Sequence, residues 1–253
     1  MMKRNQLREA IFRHLDGLVV VPVAYSLFKK GILAHLLKEK STTLSQITNE
    51  FHANEGYLNV ALRVLASQGF LKYEVDNVSG NVTITSLPIS EFAFSLVPMY
   101  EDTFHLLTQS SVFTANKMDV DSIALLEPIL KKFTENYHIH FEEDEHLRAI
   151  QEQMLTHIEG YLVGPIVVNL GMTGMFHKYF MESSFRADEF HKHPEAFAKI
   201  LDFFVHLGWF SKKNDNYQFT EDGFFFAKRA SAYGVTVSYL PMFKHIDSLL
   251  FGN

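Results

Sequence analysis

The stretch HLDGLVVVPVAYSLFKKGIL, His14 to Leu33, is used a second time as HIEGYLVGPIVVNLGMTGMF, His157 to Phe176. Laid side by side without a gap, His14 meets His157, Asp16 meets Glu159, Gly17 meets Gly160, Pro22 meets Pro165 and Gly31 meets Gly174, an offset of 143 at every landmark. A repeat of this kind is an architectural signal and is read before any motif. Residues 5–36 read as helical, because Leu7, Ile11, Leu15 and Leu18 recur at spacings of three and four. Gly17 and Pro22 interrupt the run, so a kink or break is expected near Val21. Gly31 is placed to end the second segment in the left-handed conformation.

The segments behind the two copies are alike as well. After the first come Ser41-Thr42-Thr43 and LSQITNEF, a short helix that Thr43 or Ser45 can cap, then NEGYLNVALRVLASQG, opened by Asn54 and closed by Gly69. FLKYEV, a turn at Asp76-Asn77 and NVTIT alternate like a hairpin. Helix, helix and hairpin behind an opening helix make a winged helix-turn-helix. In the second half, SSFRADEFHKH is expected to supply the first short helix. PEAFAKILDFFVHLG, with Pro194 at its first position, supplies the second, and WFSKK and YQFT supply the hairpin. Leu62 matches Leu201 and Gly69 matches Gly208, at an offset of 139. Each copy closes alike, SLVPMYEDTFHLL against SYLPMFKHIDSLL.

The expected architecture is therefore mainly α, with two tandem winged-helix domains, small β-hairpin wings and a pseudo-two-fold repeat. The first unit covers 1–107, a linker with one amphipathic helix covers 108–146, and the second unit covers 147–253. The apolar faces at Val19–Leu27 and Leu162–Leu170 are expected to meet inside one chain.

Composition limits the function. The chain has 253 residues, 47% of them hydrophobic, with 24 phenylalanines, no cysteine and a formal net charge of −6. Without cysteine there is no disulfide, zinc-thiolate site or thiol nucleophile. The most apolar run, Gly17 to Phe28, is shorter than the roughly 20 residues of a bilayer-spanning helix. MMKRNQLREAIFRHLDG has no signal-peptide pattern, so a cytoplasmic protein without a membrane partner is expected. HIHFEEDEH places His138, His140, Glu142, Glu143, Asp144, Glu145 and His146 together. Charge runs of this type are usually solvated, so no metal site is assigned.

Catalytic and cofactor motifs are lacking too. No glycine-rich loop follows a strand, and GMTG at Gly171 to Gly174 reads as a helix end. No P-loop, HExxH or GxSxG occurs, and no catalytic or cofactor-binding residue is assigned. DNA binding would need Lys and Arg on the recognition helices. Glu55 and Arg63 cancel on the first, and Glu195, Lys199 and Asp202 leave the second at −1. Tyr57, Phe197, Phe203 and Phe204 stand where groove-reading side chains would, and the one basic wing pair is Lys212-Lys213. Both helices are read as packing elements.

The opening helix with its Gly, Pro and Gly landmarks, followed by LSQITNEFHANEGYLNVALRVLASQGFLKYE, resembles the N-terminal dimerisation region of class I S-adenosylmethionine-dependent methyltransferases. The type is that of small-molecule O-methyltransferases and polyketide pathways. The resemblance covers both units and implies a winged helix that mediates association and covers the acceptor pocket of a Rossmann-like catalytic domain. The cofactor glycine motif and the acidic ribose ligand of that domain are absent. S-adenosylmethionine is thus expected in a C-terminal domain outside these residues, the chain being either an excised fragment or a free-standing module. The implied partners are that catalytic domain or a larger synthase, a small hydrophobic or acyl substrate, and a second copy in a homodimer. Pro98-Met99-Tyr100 and Pro241-Met242-Phe243 repeat the same turn. Adaptable Met and aromatic surfaces suit an apolar acceptor, so Met242, Phe243 and Phe251, on an exit helix expected from Met242 to Phe251, are the candidate substrate-lining residues. The alternative function is a winged-helix transcription regulator with a ligand pocket between its domains.

Overall fold

A computed structural model of the chain describes residues 4–109, 120–182 and 184–252. Helix α1, Arg4–Lys29, is one continuous helix through Gly17 and Pro22. The expected break near Val21 is absent. A mid-helix proline costs about 3 kcal/mol, and here it is outweighed by burial. Leu18, Val20, Val21, Val23, Ala24 and Leu27 are all buried, the leucines and valines contributing about 1.5–3 kcal/mol each at most. Because α1 is unbroken it is long and apolar enough to cross a bilayer, contrary to the short run read from sequence. Yet 67% of its most apolar window is buried inside the protein, as in a core helix. The chain does reverse at Gly31, whose φ of 87° suits glycine, and α2 follows at Ile32–Glu39.

Strand β1, Ser41–Thr43, leads into α3, Leu44–Phe51. Thr43 caps α3 through a reciprocal box: Gln46 N–H donates to Thr43 Oγ1 at 3.3 Å, and Thr43 N–H donates to Gln46 Oε1 at 2.9 Å. Helix α4, Glu55–Ser67, opens where Tyr57 N–H donates to the Asn54 side chain at 3.2 Å. Strands β2, Leu71–Val75, and β3, Val82–Ser86, form the wing. The sheet order is β1-β3-β2, all antiparallel, with Thr42 opposite Ile84 and Tyr73 opposite Ile84 on the other side. The third strand, β1, was not expected from sequence. The turn between β2 and β3 is longer than Asp76-Asn77: the Asp76 carboxylate accepts from Val78 and Ser79 N–H, which holds its pKa below the usual range.

Helix α5, Ser90–Leu96, passes through a 3-10 turn at Val97–Tyr100 into α6, Glu101–Gln109. Residues 110–119 of the expected linker lie outside the described residues. Helix α7, Val120–Thr134, contains Pro128, and a 3-10 turn at Asn136–His138 follows. Helix α8, Glu145–Met172, is the second long helix, again continuous through its proline, Pro165. Gly174, at φ 82°, separates it from α9, Met175–Tyr179.

The short helix expected in SSFRADEFHKH, whose Ser183 is not described, is only a 3-10 turn at Ala187–Glu189. Phe185 is diverted into a backbone bridge with Tyr217, and His193 precedes a proline, which disfavours helical backbone there. Helix α10, Pro194–His206, starts at its proline as expected. Strands β4, Phe210–Lys213, and β5, Asn216–Phe219, pair antiparallel across Asn214, which takes a φ of 55°. Helices α11, Glu221–Ala227, and α12, Ser231–Val237, follow. The expected exit helix from Met242 to Phe251 is two pieces, α13, Leu240–Phe243, and α14, Ile246–Phe251. His245, at φ −108° and ψ 19°, breaks it.

Two compact units result. One holds the described residues of Met1–Leu18, His105–Ile139 and Thr156–Pro241, and the other those of Val19–Phe104, His140–Leu155 and Met242–Asn253. They do not follow the sequential bounds 1–107, 108–146 and 147–253, because α1 and α8 each give one half to each unit. The first unit contains the crossing of the two repeated stretches. A side chain at Gly17 would meet the backbone of His157, and one at Gly160 the backbone of His14. Val20 to Leu27 in the second unit, Val19 excepted, and most of Leu162 to Leu170 in the first are buried.

Candidate functional site

The three substrate-lining candidates are placed differently, all in the second unit. Phe243 is buried, Met242 is 42% exposed, and Phe251 is half-buried on α14. Phe251 borders a cleft of about 410 Å³, which Ser26, Lys29 and Lys30 at the end of α1 share with Asp247, Ser248 and Gly252. Neither Met242 nor Phe243 lines it.

Helix α14 is held there by polar contacts. Ser26 donates to Asp247 Oδ1, Lys29 Nζ to Asp247 Oδ2 at 3.0 Å, and Asn54 N–H to the Leu250 carbonyl at 2.7 Å. The Lys29–Asp247 pair is half-exposed and contributes no more than about 1 kcal/mol. Lys30 Nζ lies 4.8 Å from the Phe251 ring centroid, and Lys29 lies 5.0 Å from that of Phe104. Behind them Tyr25 donates to Glu101 at 3.0 Å. Burial, and then that bond, push the Tyr25 hydroxyl up to about 12. Aromatic faces, ammonium groups and hydroxyls at one cleft suit an apolar ligand with a polar or anionic end.

The helices at the recognition positions are the second feature. In the first unit, Phe197, Phe203 and Phe204 of α10 are buried. Helix α7 lies against α10. Lys199 Nζ meets Glu127 Oε2 at 2.5 Å, and the Phe133 ring packs edge-on at 5.9 Å from Phe203 and 6.1 Å from His206. Of the basic wing pair, Lys212 is bound to Asp202 at 2.7 Å and lies over Tyr217. In the second unit, the Arg63 guanidinium of α4 lies 6.0 Å from the Tyr73 ring.

A third feature is not evident from sequence. His14 is 2% exposed in the first unit. Its Nε2 pairs with Glu159 Oε1 at 2.9 Å, and since a carboxylate only accepts, that nitrogen donates. Its Nδ1 pairs with the Tyr233 hydroxyl at 2.8 Å, within a wall formed by Trp209 and Phe226. The signal was present, since His14 and Glu159 are themselves landmarks of the repeated His-x-acid-Gly motif. Its roles could not be paired without the crossing of α1 and α8.

His157, the repeat partner of His14, is equally buried, and desolvation lowers its pKa from 6.5 to about 3. The unfolded chain therefore binds a proton below pH 6.5 that the native state refuses. The stability this group supplies is complete above that pH and is lost as pH falls toward 3. Between pH 7 and pH 5 the loss is expected to be about 2 kcal/mol. Urea unfolding at both values should show it, and His157→Gln should remove it from the pH difference.

The run from His138 to His146 is exposed and starts α8. Asp144 Oδ1 accepts from His146 and Leu147 N–H, which holds its carboxyl low. Among the described residues no three His, Asp or Glu side chains converge as a metal site.

No curated protein matches the chain. Residues 159–253 match the family model described as the AprA winged helix domain, which spans α10, its hairpin and α14. Residues 7–73 match the one described as the AprA N-terminal domain, which spans α1 to α4. The chain thus carries segments similar to the N-terminal and winged helix domains of AprA-type proteins.

Proposed function

We propose that the chain is a non-catalytic association and substrate-covering module of an S-adenosylmethionine-dependent methyltransferase that acts on a small hydrophobic or polyketide-type acyl substrate in the cytoplasm. Its Rossmann-like catalytic domain, which supplies the cofactor site, lies outside these residues. The observation that carries the reading is the state of the winged helices: α10 spends its aromatic face on packing, and α4 carries no net charge. The AprA-type segments support an accessory role, and the resemblance to methyltransferase N-terminal regions supplies the class of enzyme. The reciprocal approach of Gly17 to His157 and of Gly160 to His14 supports a pseudo-two-fold repeat, the same contact that a homodimer of single-copy relatives would make between subunits.

Within this reading Phe251 is the first residue to test, because it borders the open cleft and Phe243 serves the core. In a protein that joins this chain to a methyltransferase domain, Phe251→Ala should raise KM for the acceptor about tenfold, the effect of losing about 1.4 kcal/mol, and leave the cofactor Kd unchanged. Equal changes in both would contradict substrate covering. Calorimetric titration of the chain alone with S-adenosylmethionine should show no binding. A stoichiometric interaction at micromolar Kd would contradict the non-catalytic assignment.

A further inference from the structure

In the second unit, α4 presents to solvent a face whose counterpart in the first unit packs against α7. The two helices correspond turn by turn. Each ends in a glycine with positive φ, Gly69 at 78° and Gly208 at 75°. The chain reverses through equivalent bonds, Gly69 N–H to Ala66 O and Phe70 N–H to Leu65 O in one, Gly208 N–H to Val205 O and Trp209 N–H to Phe204 O in the other. At that offset of 139, the α10 residues that meet α7, namely Lys199, Phe203 and His206, correspond to Val60, Val64 and Ser67 of α4. Yet Val60 is 58% exposed and Tyr57 is 47% exposed. Tyr57, Val60 and Val64 lie three and four apart, a single stripe opposite the buried stripe of Leu58, Ala61, Leu62 and Leu65. Helix α14 meets α4 at its start, through Asn54, while Tyr57 and Val60 stay exposed and Val64 is half-buried.

We propose that this face of α4 is a docking site for one amphipathic α-helix of a partner protein, seated as α7 is seated on α10. The chemistry of the occupant is set by the differences between the two faces. Where α10 offers Lys199 to Glu127, α4 offers Val60, so the partner must be apolar there. Where α10 has Asp202, in the groove that Lys131 also lines, α4 has Arg63. The partner must therefore be acidic at the position that Lys131 holds on α7. An apolar side chain in the place of Phe133 would cover Val64. The proposal uses the packing reading of the winged helices; failure of the peptide to bind would leave the methyltransferase assignment untouched, whereas DNA binding at this face would overturn both.

The probe is a labelled peptide of α7, residues 120–134, carrying Glu127→Leu and Lys131→Glu, with the unaltered peptide as comparison. Titrated into the full chain and followed by fluorescence anisotropy, the altered peptide should bind about tenfold tighter than the unaltered one. Val60→Asp, at an exposed position that leaves the fold intact by circular dichroism, should abolish the binding, and Arg63→Glu should weaken it about tenfold. Restoring Lys131 in the peptide should recover affinity for the Arg63→Glu chain. Equal affinity of the two peptides, no saturable binding of either, or binding indifferent to Val60→Asp would overturn the proposal. Salt-sensitive capture of duplex DNA at this face, lost in Arg63→Glu, would overturn it in favour of nucleic acid.

Discussion

Replacing Gly17 by alanine should destabilise the protein by about 3 kcal/mol, at the upper end of what overpacking costs. The added methyl would sit 2.1 Å from the carbonyl oxygen of His157, and one at Gly160 would sit 2.3 Å from that of His14. These neighbours are backbone atoms of a helix, so no rotamer change relieves the clash. The two long helices must separate, and the buried His14–Glu159–Tyr233 bonds lie beside the crossing. Because both glycines serve one contact, their effects should not add. Once Gly17→Ala has parted the helices, Gly160→Ala should cost much less than it does alone, a coupling in the range of about 0.5–3 kcal/mol. Gly234→Ala is the control, since a methyl there meets nothing within 4 Å. It lies within α12, where alanine in place of glycine should stabilise by about 0.5–1 kcal/mol. Urea unfolding of the five proteins, wild type included, measures all of these.

Trp209→Ala should cost about 3–5 kcal/mol, the range for a large aromatic removed from a core. Trp209 is 3% exposed and stacks on Phe226 with ring centroids 4.1 Å apart and planes 4° from parallel. It also lies 5.0 Å from Phe204 and 6.3 Å from His14, so its removal leaves a cavity beside a buried polar network. Trp209→Phe keeps an aromatic partner for Phe226 and should cost less than half as much, again by urea unfolding. A similar loss for both substitutions would mean that an aromatic partner for Phe226 contributes little.

The sequence was most legible where local chemistry acts alone. The Thr43 and Asn54 caps, the glycine stops at Gly31, Gly69, Gly174 and Gly208, and Pro194 at the head of α10 are each set by a few neighbouring residues. It was misleading where tertiary packing overrides local preference. Pro22 looks like a break, but the buried valines around it keep α1 continuous. Strand β1 is three residues long and takes its identity from Thr85, Ile84 and Thr83 on β3, too far along the chain to be seen from its own residues. The candidate site was partly legible. Phe251 follows from its place on the exit segment behind the repeated turn, but Ser26, Lys29 and Lys30, which complete the cleft, lie at the end of a helix more than two hundred residues earlier. The role of α7 as the cover of α10 was hidden for the same reason, because an amphipathic pattern states that a helix has a partner without saying which.

The proposed function requires the winged helices to be packing elements rather than groove readers, and one measurement tests that directly. A fluorescence-anisotropy titration of random-sequence duplex DNA with the whole chain at low salt removes the screening that would hide phosphate contacts. With a net charge of −6, α10 packed against α7 and Lys212 bound to Asp202, the expected result is no saturable binding at micromolar protein. Salt-sensitive binding in that range, lost when Arg63, Lys212 and Lys213 are replaced by alanine, would contradict the proposed function and favour a transcription regulator.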